Sequence, residues 1–282
     1  MSGSRPTGFF GTLLHAAGRR QDVKIAQRLN EAEAKVARLE NELAASRTIP
    51  PTSAATPLPP DHLQVRQVGG VWGPSFYREG RVIFDQVAAA LGEAGQPLAT
   101  TERILDFGCG CGRVLQSFEH VPPSGEVWGS DIDAEAIRWN RRHLGHLGQF
   151  YGNAALPPMR FPDGYFTAIY SISVFTHLPE EMQFAWLTEL RRILRPGGVL
   201  LASLHGADYW SVDPGVKAEV ESRGFAYRTG ARVDGLPDFY MVAFHAEEYV
   251  RRTWSRFFDV LTVKPRYIHS AHDAAILRRR DD

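Results

Sequence analysis

Arg103-Ile104-Leu105-Asp106-Phe107-Gly108-Cys109-Gly110-Cys111-Gly112 is the stretch whose reading decides the fold. Its first half reads as a short buried β-strand. Its second half alternates glycine with cysteine, and the spacing predicts a helix opening at Arg113. Alternating glycines remove side chains where the chain must turn tightly and where a ligand approaches the backbone. The dinucleotide pattern Gly-x-Gly-x-x-Gly fails in both registers, because Arg113 or Leu115 falls where the last glycine belongs. No Gly-Lys-Ser/Thr follows, which excludes a phosphate-binding P-loop. Asp131 stands 19 residues beyond Gly112, in Gly129-Ser130-Asp131 at the end of the next strand. A carboxylate there can accept hydrogen bonds from both hydroxyls of a ribose. The combination points to a nucleoside bound without a pyrophosphate.

Working outward, β-rich apolar runs alternate with helical patterns. A helix is expected over about 76–94, strands at 126–129 and 166–171, and a helix from Asp133 onward carrying Ala136, Ile137, Asn140 and Leu144 on one stripe. A further helix is marked by Pro179, Glu180 and Glu181 at its start and by Arg191, Arg192 and Arg195 near its end, charges that suit the helix dipole. Pro196-Gly197-Gly198 reads as its stop, and Val199–Leu204 as a fully apolar strand. Such alternation gives an α/β fold, a parallel sheet covered by helices on both faces, with ligands at the carboxyl ends of the strands.

Asp-x-Gly-x-Gly-x-Gly at 106–112 followed by Gly-x-Asp at 129–131 resembles the class I S-adenosylmethionine-dependent methyltransferases. The resemblance continues through Asn153, Phe161-Pro162-Asp163-Gly164-x-Phe166 and Leu194-Arg195-Pro196-Gly197-Gly198, and spans roughly residues 76–205. It implies a Rossmann-like seven-stranded sheet whose final hairpin, here 257–263 and 273–277, contributes a reversed strand. It also implies S-adenosylmethionine as cofactor. By resemblance the glycine loop, with Asp106, Gly108, Cys109, Gly110 and Gly112, lies under the methionine part, and Asp131 holds the ribose. Ile132, Asn153 and Ala154 flank the adenine, and Ser171, ending the fourth strand, completes the cofactor set. Many relatives carry an acidic residue at position 153. Asn153 can bond the adenine amino group only through its side-chain oxygen, and Ala154 only through its backbone. Thr167 likewise departs from the Asp usual in its strand.

The implied reaction is in-line attack of an acceptor atom on a sulfonium methyl, in which alignment supplies much of the acceleration. A base is required where the nucleophile must lose a proton. His177 after the fourth strand and His205 after the fifth are the candidate catalytic residues, with His245, His269 and His272 read as structural. Residues 206–256 are the candidate acceptor lid. Their aromatics Tyr209, Trp210, Phe225, Tyr227, Phe239 and Tyr240 either stack on a substrate or close a small core. Trp72–Tyr77 is expected to cover the cofactor. No Asn/Asp-Pro-Pro-Tyr/Phe follows the fourth strand, which disfavours methylation of planar amino groups, and the acceptor expected is a small molecule or a saccharide. No metal site is expected, because Cys109 and Cys111 lie inside the cofactor turn.

The flanking sequence is of a different kind. Ile25, Leu29, Ala32, Val36, Leu39 and Leu43 form an a/d seam within residues 21–46, a stretch free of Gly and Pro. Residues 1–47 are therefore read as a helical arm that can pair two copies into a homodimer. Residues 48–62 hold five prolines and read as an extended linker. Residues 63–282 form the enzyme domain. A second reading keeps the cofactor fold but makes the chain a catalytically idle assembly module organised by its coiled coil.

Composition narrows the partners. The 282 residues carry 32 basic and 32 acidic side chains, a zero balance that argues against nucleic acid, since such binding rests on excess Lys and Arg. No apolar run approaches the roughly 18 residues of a membrane span. The start around Phe9–His15 makes a poor signal peptide, and two cysteines one residue apart build no disulfide framework. The expected location is cytoplasmic.

Overall fold

The computed structural model describes residues 56–121, 123–228 and 235–281. The helical arm at 1–47, with its seam at 21–46, and linker residues 48–55 lie outside the described residues. The linker ends earlier than its prolines suggest. Helix α1 (Asp61–Val68) starts directly after Pro60, whose fixed φ of −53° suits the position ahead of a helix.

Seven strands form one sheet in the order β3-β2-β1-β4-β5-β9-β8, with β1 (Arg103–Phe107), β2 (Glu126–Asp131), β3 (Gln149–Gly152), β4 (Phe166–Ser171), β5 (Leu194–Leu204), β8 (Asp259–Ile268) and β9 (His272–Arg278). Strands β1 to β5 pair in parallel, and β9 runs antiparallel to both β5 and β8. The strand order reverses between β1 and β4, which opens a crevice at their carboxyl ends. The apolar residues of β1 alternate between two layers. Leu105 and Phe107 pack with Trp186, Leu187 and Leu190 on one face, and Ile104 packs with Phe84, Val87 and Leu115 on the other. This two-sided burial is what a continuous apolar run in a parallel sheet predicts.

Helix α2 (Ser75–Glu93) and helix α3 (Ala134–His143) cover one face, and helix α4 (Glu180–Ile193) covers the other. Asp133 caps α3, its Oδ1 accepting from the backbone N–H of Glu135 at 2.9 Å and of Ala136 at 3.2 Å. Two expectations are corrected here. The helix expected at Arg113 is a turn followed by a short 3₁₀ segment, Leu115–Glu119, pinned to α2 by the edge-to-face contact of Phe118 with Phe84 at 4.9 Å. Pro196-Gly197-Gly198 does not lie between helix and strand. The stretch is a bulge inside β5, where Gly197 adopts φ +71° and the register with β4 shifts.

The described residues within 206–256 fold as a small unit. Helices α5 (Ala207–Trp210) and α6 (Pro214–Arg223) pack on a two-stranded antiparallel sheet of β6 (Phe225–Arg228) and β7 (Val242–His245), and helix α7 (Glu247–Trp254) follows. Val216, Val220, Ala226 and Phe244 form its core, with Tyr209 and Trp210 packed against them. Most of the region's aromatics thus close a core.

Gly80 marks where α2 meets the glycine turn. A β-carbon there would lie 1.9 Å from the Arg113 carbonyl oxygen, whereas one at Gly92 in the same helix would meet nothing within 4 Å. Gly80→Ala is expected to cost ~1–3 kcal/mol by overpacking. Gly92→Ala is expected to gain up to about 1 kcal/mol in helix propensity. Denaturant unfolding of the two variants checks the contrast.

Candidate functional site

At the carboxyl end of β1 the chain is turned back by two hydrogen bonds to the neighbouring strand. Gly108 N–H and Cys109 N–H donate to the Ser130 carbonyl at 2.8 and 3.0 Å. Gly108 holds φ +85°, and any β-carbon on it would lie 2.0 Å from a Val174 methyl, so β1 and the loop after β4 touch directly. Gly112 serves a different contact: a β-carbon there would strike Leu144, at the carboxyl end of α3. Asn140, fully buried in α3, donates through Nδ2 to the Gly110 carbonyl at 2.8 Å. Sequence reasoning placed Asn140 on the helix's apolar stripe without a function. A polar residue in such a stripe is the signal that could have found it, because a buried amide needs partners.

A pocket opens here, with about 1040 Å³ of empty space counting the solvent at its opening. Asp106, Gly108, Cys109 and Gly110 line it from β1 and its turn, and Asp131, Ile132, Asn153 and Ala154 line it from the ends of β2 and β3. These eight expected cofactor residues are brought together. Gly112 and Ser171 are not part of the lining: the first faces α3, and the second is buried behind Ile172, Ser173 and Val174, which do reach the pocket. Trp72–Tyr77 does not provide the expected cover. Phe76 and Tyr77 are buried beside Leu63 and Cys111, and Trp72 stacks on His269. The cover comes from Leu63, Arg66 and Gln67 of α1, at the start of the stretch read as the enzyme domain, to which no site role was assigned. Arg113, Leu178 and Trp186 were also missed. Nothing in their local spacing distinguishes them from core or surface residues.

Two carboxylates interact across the turn, Asp106 buried and Asp131 half-buried. Asp131 accepts from Gly110 N–H through Oδ2 at 2.7 Å and from Asp133 N–H through Oδ1 at 2.8 Å. Burial pushes its pKa up to about 6, against the pull of those N–H donors. Burial likewise raises Asp106 to about 8, helped by the Asp131 charge and offset in part by the Tyr170 hydroxyl and Arg113. The Oδ1 of Asn153 is buried and has no hydrogen-bond partner in the protein, while its Nδ2 donates to the Ala154 carbonyl at 2.9 Å. An acceptor is thus left unsatisfied in a residue that lines the pocket.

The far wall consists of Leu178, Trp186, Leu236, Pro237, Phe239 and Tyr240. Neither candidate histidine lines the pocket. His177 lies behind Tyr240, its ring stacked on the tyrosine at 4.1 Å and its Nδ1 held 2.6 Å from the Met241 carbonyl. His205 is fully buried, packs on Tyr209 at 4.2 Å and has its pKa lowered to about 3 by burial. His245 is lowered to about 3 for the same reason and bonds Gln183 Oε1 at 3.0 Å. His269 pairs with the buried Glu79 at 3.0 Å, and His272 packs on His205 and Tyr209. Among the described residues no cluster of His, Cys, Asp and Glu could hold a metal ion, and no helix is long and apolar enough to cross a membrane.

Residues 104–198 match the methyltransferase-domain family. The ubiquinone/menaquinone biosynthesis C-methyltransferase UbiE of Cupriavidus metallidurans is 32% identical over 106 residues, covering 36% of this chain and 42% of the relative. UbiE of Burkholderia orbicola is 32% identical over 122 residues, 41% of this chain and 47% of the relative. The chain thus spans less than half the length of these relatives. Among solved structures, an S-adenosylmethionine-dependent methyltransferase from Mesorhizobium loti superposes with a TM-score of 0.51 at 16% identity, covering 70% of this chain and 100% of its own. A Pyrococcus horikoshii protein gives 0.52 at 15%, covering 74% and 97%. Residues 104–198 thus match a methyltransferase domain, and the chain has the seven-stranded Rossmann-like sheet of the class I S-adenosylmethionine-dependent methyltransferases.

The raised carboxylates have a consequence for stability. A buried acid whose pKa lies above its unfolded value near 4 binds more protons when folded, so stability falls as pH rises through the interval. For Asp106 that interval runs from about 4 to about 8. Asp106→Asn, which removes the titration, is expected to gain stability relative to the unsubstituted protein as pH is raised from 4 to 8. Urea midpoints of the ligand-free proteins across that range measure it.

Proposed function

We propose that this chain transfers a methyl group from S-adenosylmethionine to a small-molecule acceptor seated against the wall of Trp186, Phe239 and Tyr240. The observation that carries the reading is the convergence on one pocket of the glycine turn, the Asp131 carboxylate and an aromatic wall. The cofactor supplies an electrophilic methyl on a positively charged sulfur. The rest of the site can then be assigned from its own chemistry. Asp131 accepts from the two ribose hydroxyls, the strongest use of a carboxylate in this position. Asn153 accepts from the adenine amino group through Oδ1, the buried atom with no protein partner. The glycine turn offers bare backbone to the amino-acid end, and Trp186, fixed by Nε1–H donation to the Ala155 carbonyl at 3.1 Å, keeps water from the reacting region.

An acceptor with a planar, largely apolar face suits this wall best, because aromatic side chains bind such faces by stacking. The UbiE relatives, named for C-methylation in quinone biosynthesis, support an aromatic ring over a saccharide. His177 acts as a positioning residue. With Nδ1 held at the Met241 carbonyl and its ring under Tyr240, it sets the angle at which the tyrosine meets the acceptor.

Calorimetry with S-adenosylhomocysteine tests the cofactor assignment. The unsubstituted protein is expected to bind, and Asp131→Ala to bind about 10- to 150-fold more weakly, the equivalent of ~1.5–3 kcal/mol for hydrogen bonds to a charged group. Absence of heat for the unsubstituted protein would sink the reading. Release of S-adenosylhomocysteine against pools of hydroquinones and of saccharides then decides the acceptor class.

A further inference from the structure

Helix α1 lines the pocket with Leu63, Arg66 and Gln67, and its contacts differ from those of a packed helix. Of its eight residues only Leu63 and Gln64 are buried. It is held chiefly by polar side chains that end on the pocket's own rim. Gln67 spans the glycine turn: Nε2–H donates to the Cys109 carbonyl at 3.2 Å, and Oε1 accepts from Cys111 N–H at 3.1 Å. Arg66, one residue earlier, reaches the amino end of α3, donating to Asp133 Oδ2 at 3.0 Å and Glu135 Oε2 at 2.8 Å. The same guanidinium abuts the loop that leads to the aromatic wall, since a β-carbon at Gly235 would lie 2.4 Å from Arg66 Nε. Arg66 therefore joins three parts of the rim: α1, the strand–helix corner after Asp131, and the segment ending in Tyr240.

The helix also runs into a glycine-rich stretch. It ends at Gly69 in the left-handed region (φ +72°), and Gly73 follows at φ +51°, with nothing near the space a β-carbon would take at either. Gln64 holds this stretch folded, its Oε1 accepting from Trp72 and Gly73 N–H at 2.9 and 3.1 Å and its Nε2 donating to the Pro59 carbonyl at 2.8 Å. A short helix with little buried apolar surface, a glycine-rich hinge and a polar latch belongs to the low-stability end of a fold, from which lids are drawn.

We propose that α1 is the gate of the cofactor pocket, latched by Arg66 and Gln67, and that ligand passes in and out only when this latch releases. The proposal rests on the reading of the pocket as the S-adenosylmethionine site. Its signature is kinetic. If Arg66 and Gln67 merely touched the ligand, removing them would speed release alone. If they latch a gate, both association and release accelerate and the equilibrium affinity changes much less.

Stopped-flow fluorescence with S-adenosylhomocysteine and the full chain separates these cases. Arg66→Ala and Gln67→Ala are each expected to raise both rate constants about tenfold, from the loss of that side chain's hydrogen bonds to the rim, with Kd altered less than about threefold. Gly235→Ala, which displaces Arg66 without removing it, is expected to change the rates in the same direction. Arg66→Lys should fall between Arg66→Ala and the unsubstituted protein. Hydrogen exchange should show faster exchange of the 61–68 amides in Arg66→Ala, with β1 and β4 unchanged, and slower exchange of those amides when ligand is bound. Unchanged rates, or faster release with unchanged association, would overturn the gate. Failure of the unsubstituted protein to bind S-adenosylhomocysteine would instead overturn the cofactor reading, and the gate with it.

Discussion

The structure depends on the closeness with which the chain doubles back at the end of β1. Gly108 and Cys109 hang from the Ser130 carbonyl, Val174 presses on Gly108, and Leu144 presses on Gly112. Four elements therefore meet at a turn with no room for side chains. Because β1 is flanked by β2 and β4, fixing this turn fixes the relative height of three strand ends, and so the floor of the pocket. Asn140 ties the same turn to α3, which lets one buried amide align the helix with the loop it covers. The glycines are dictated by packing as much as by any ligand.

Such close packing concentrates charge. Asp106 is buried and Asp131 half-buried beside it, and the chain meets their cost with backbone N–H groups and with Arg113. This is the usual compromise of a binding site: groups placed for a guest are uncomfortable in its absence. Asn153, whose Oδ1 lacks a partner inside the protein, shows the same tension in neutral form. The two candidate histidines contrast with these residues. His205, fully buried and neutral, is settled in the core, and His177 is screened from the pocket by Tyr240.

What the sequence made legible was whatever depends on local spacing. The β1 turn, Asp131 at the end of β2 and the charge-marked α4 could be read because each is written in a few adjacent residues, whereas the reversed strand near the C-terminal end followed only from the family resemblance. The parts that were missed depend on residues far apart. Gln67 touches Cys109 and Cys111 across more than 40 positions, and Arg66 meets Asp133 across 67. The linker expected at 48–62 takes in only the first two residues of α1, and nothing in the local spacing of the others marks them as pocket cover. Pro196-Gly197-Gly198 looked like a helix stop because those residue types also suit a bulge. The aromatics of 206–240 could not be sorted into core and wall until β6 and β7 set which sides face inward, and only Phe239 and Tyr240 reach the pocket.

The position of β9 bears on how the domain comes into being. This strand is made after all the others yet lies sixth in the sheet, between β5 and β8. A nascent chain carrying everything through β8 still lacks the strand that joins β8 to the rest. The exposed flank of β5, with Val199, Leu200 and Leu201 unpaired on one side, would meanwhile offer a template to other strands. Completion of the sheet thus waits on the last stretch of the domain to leave the ribosome. The interval before that is when the domain is most exposed to aggregation and to chaperones.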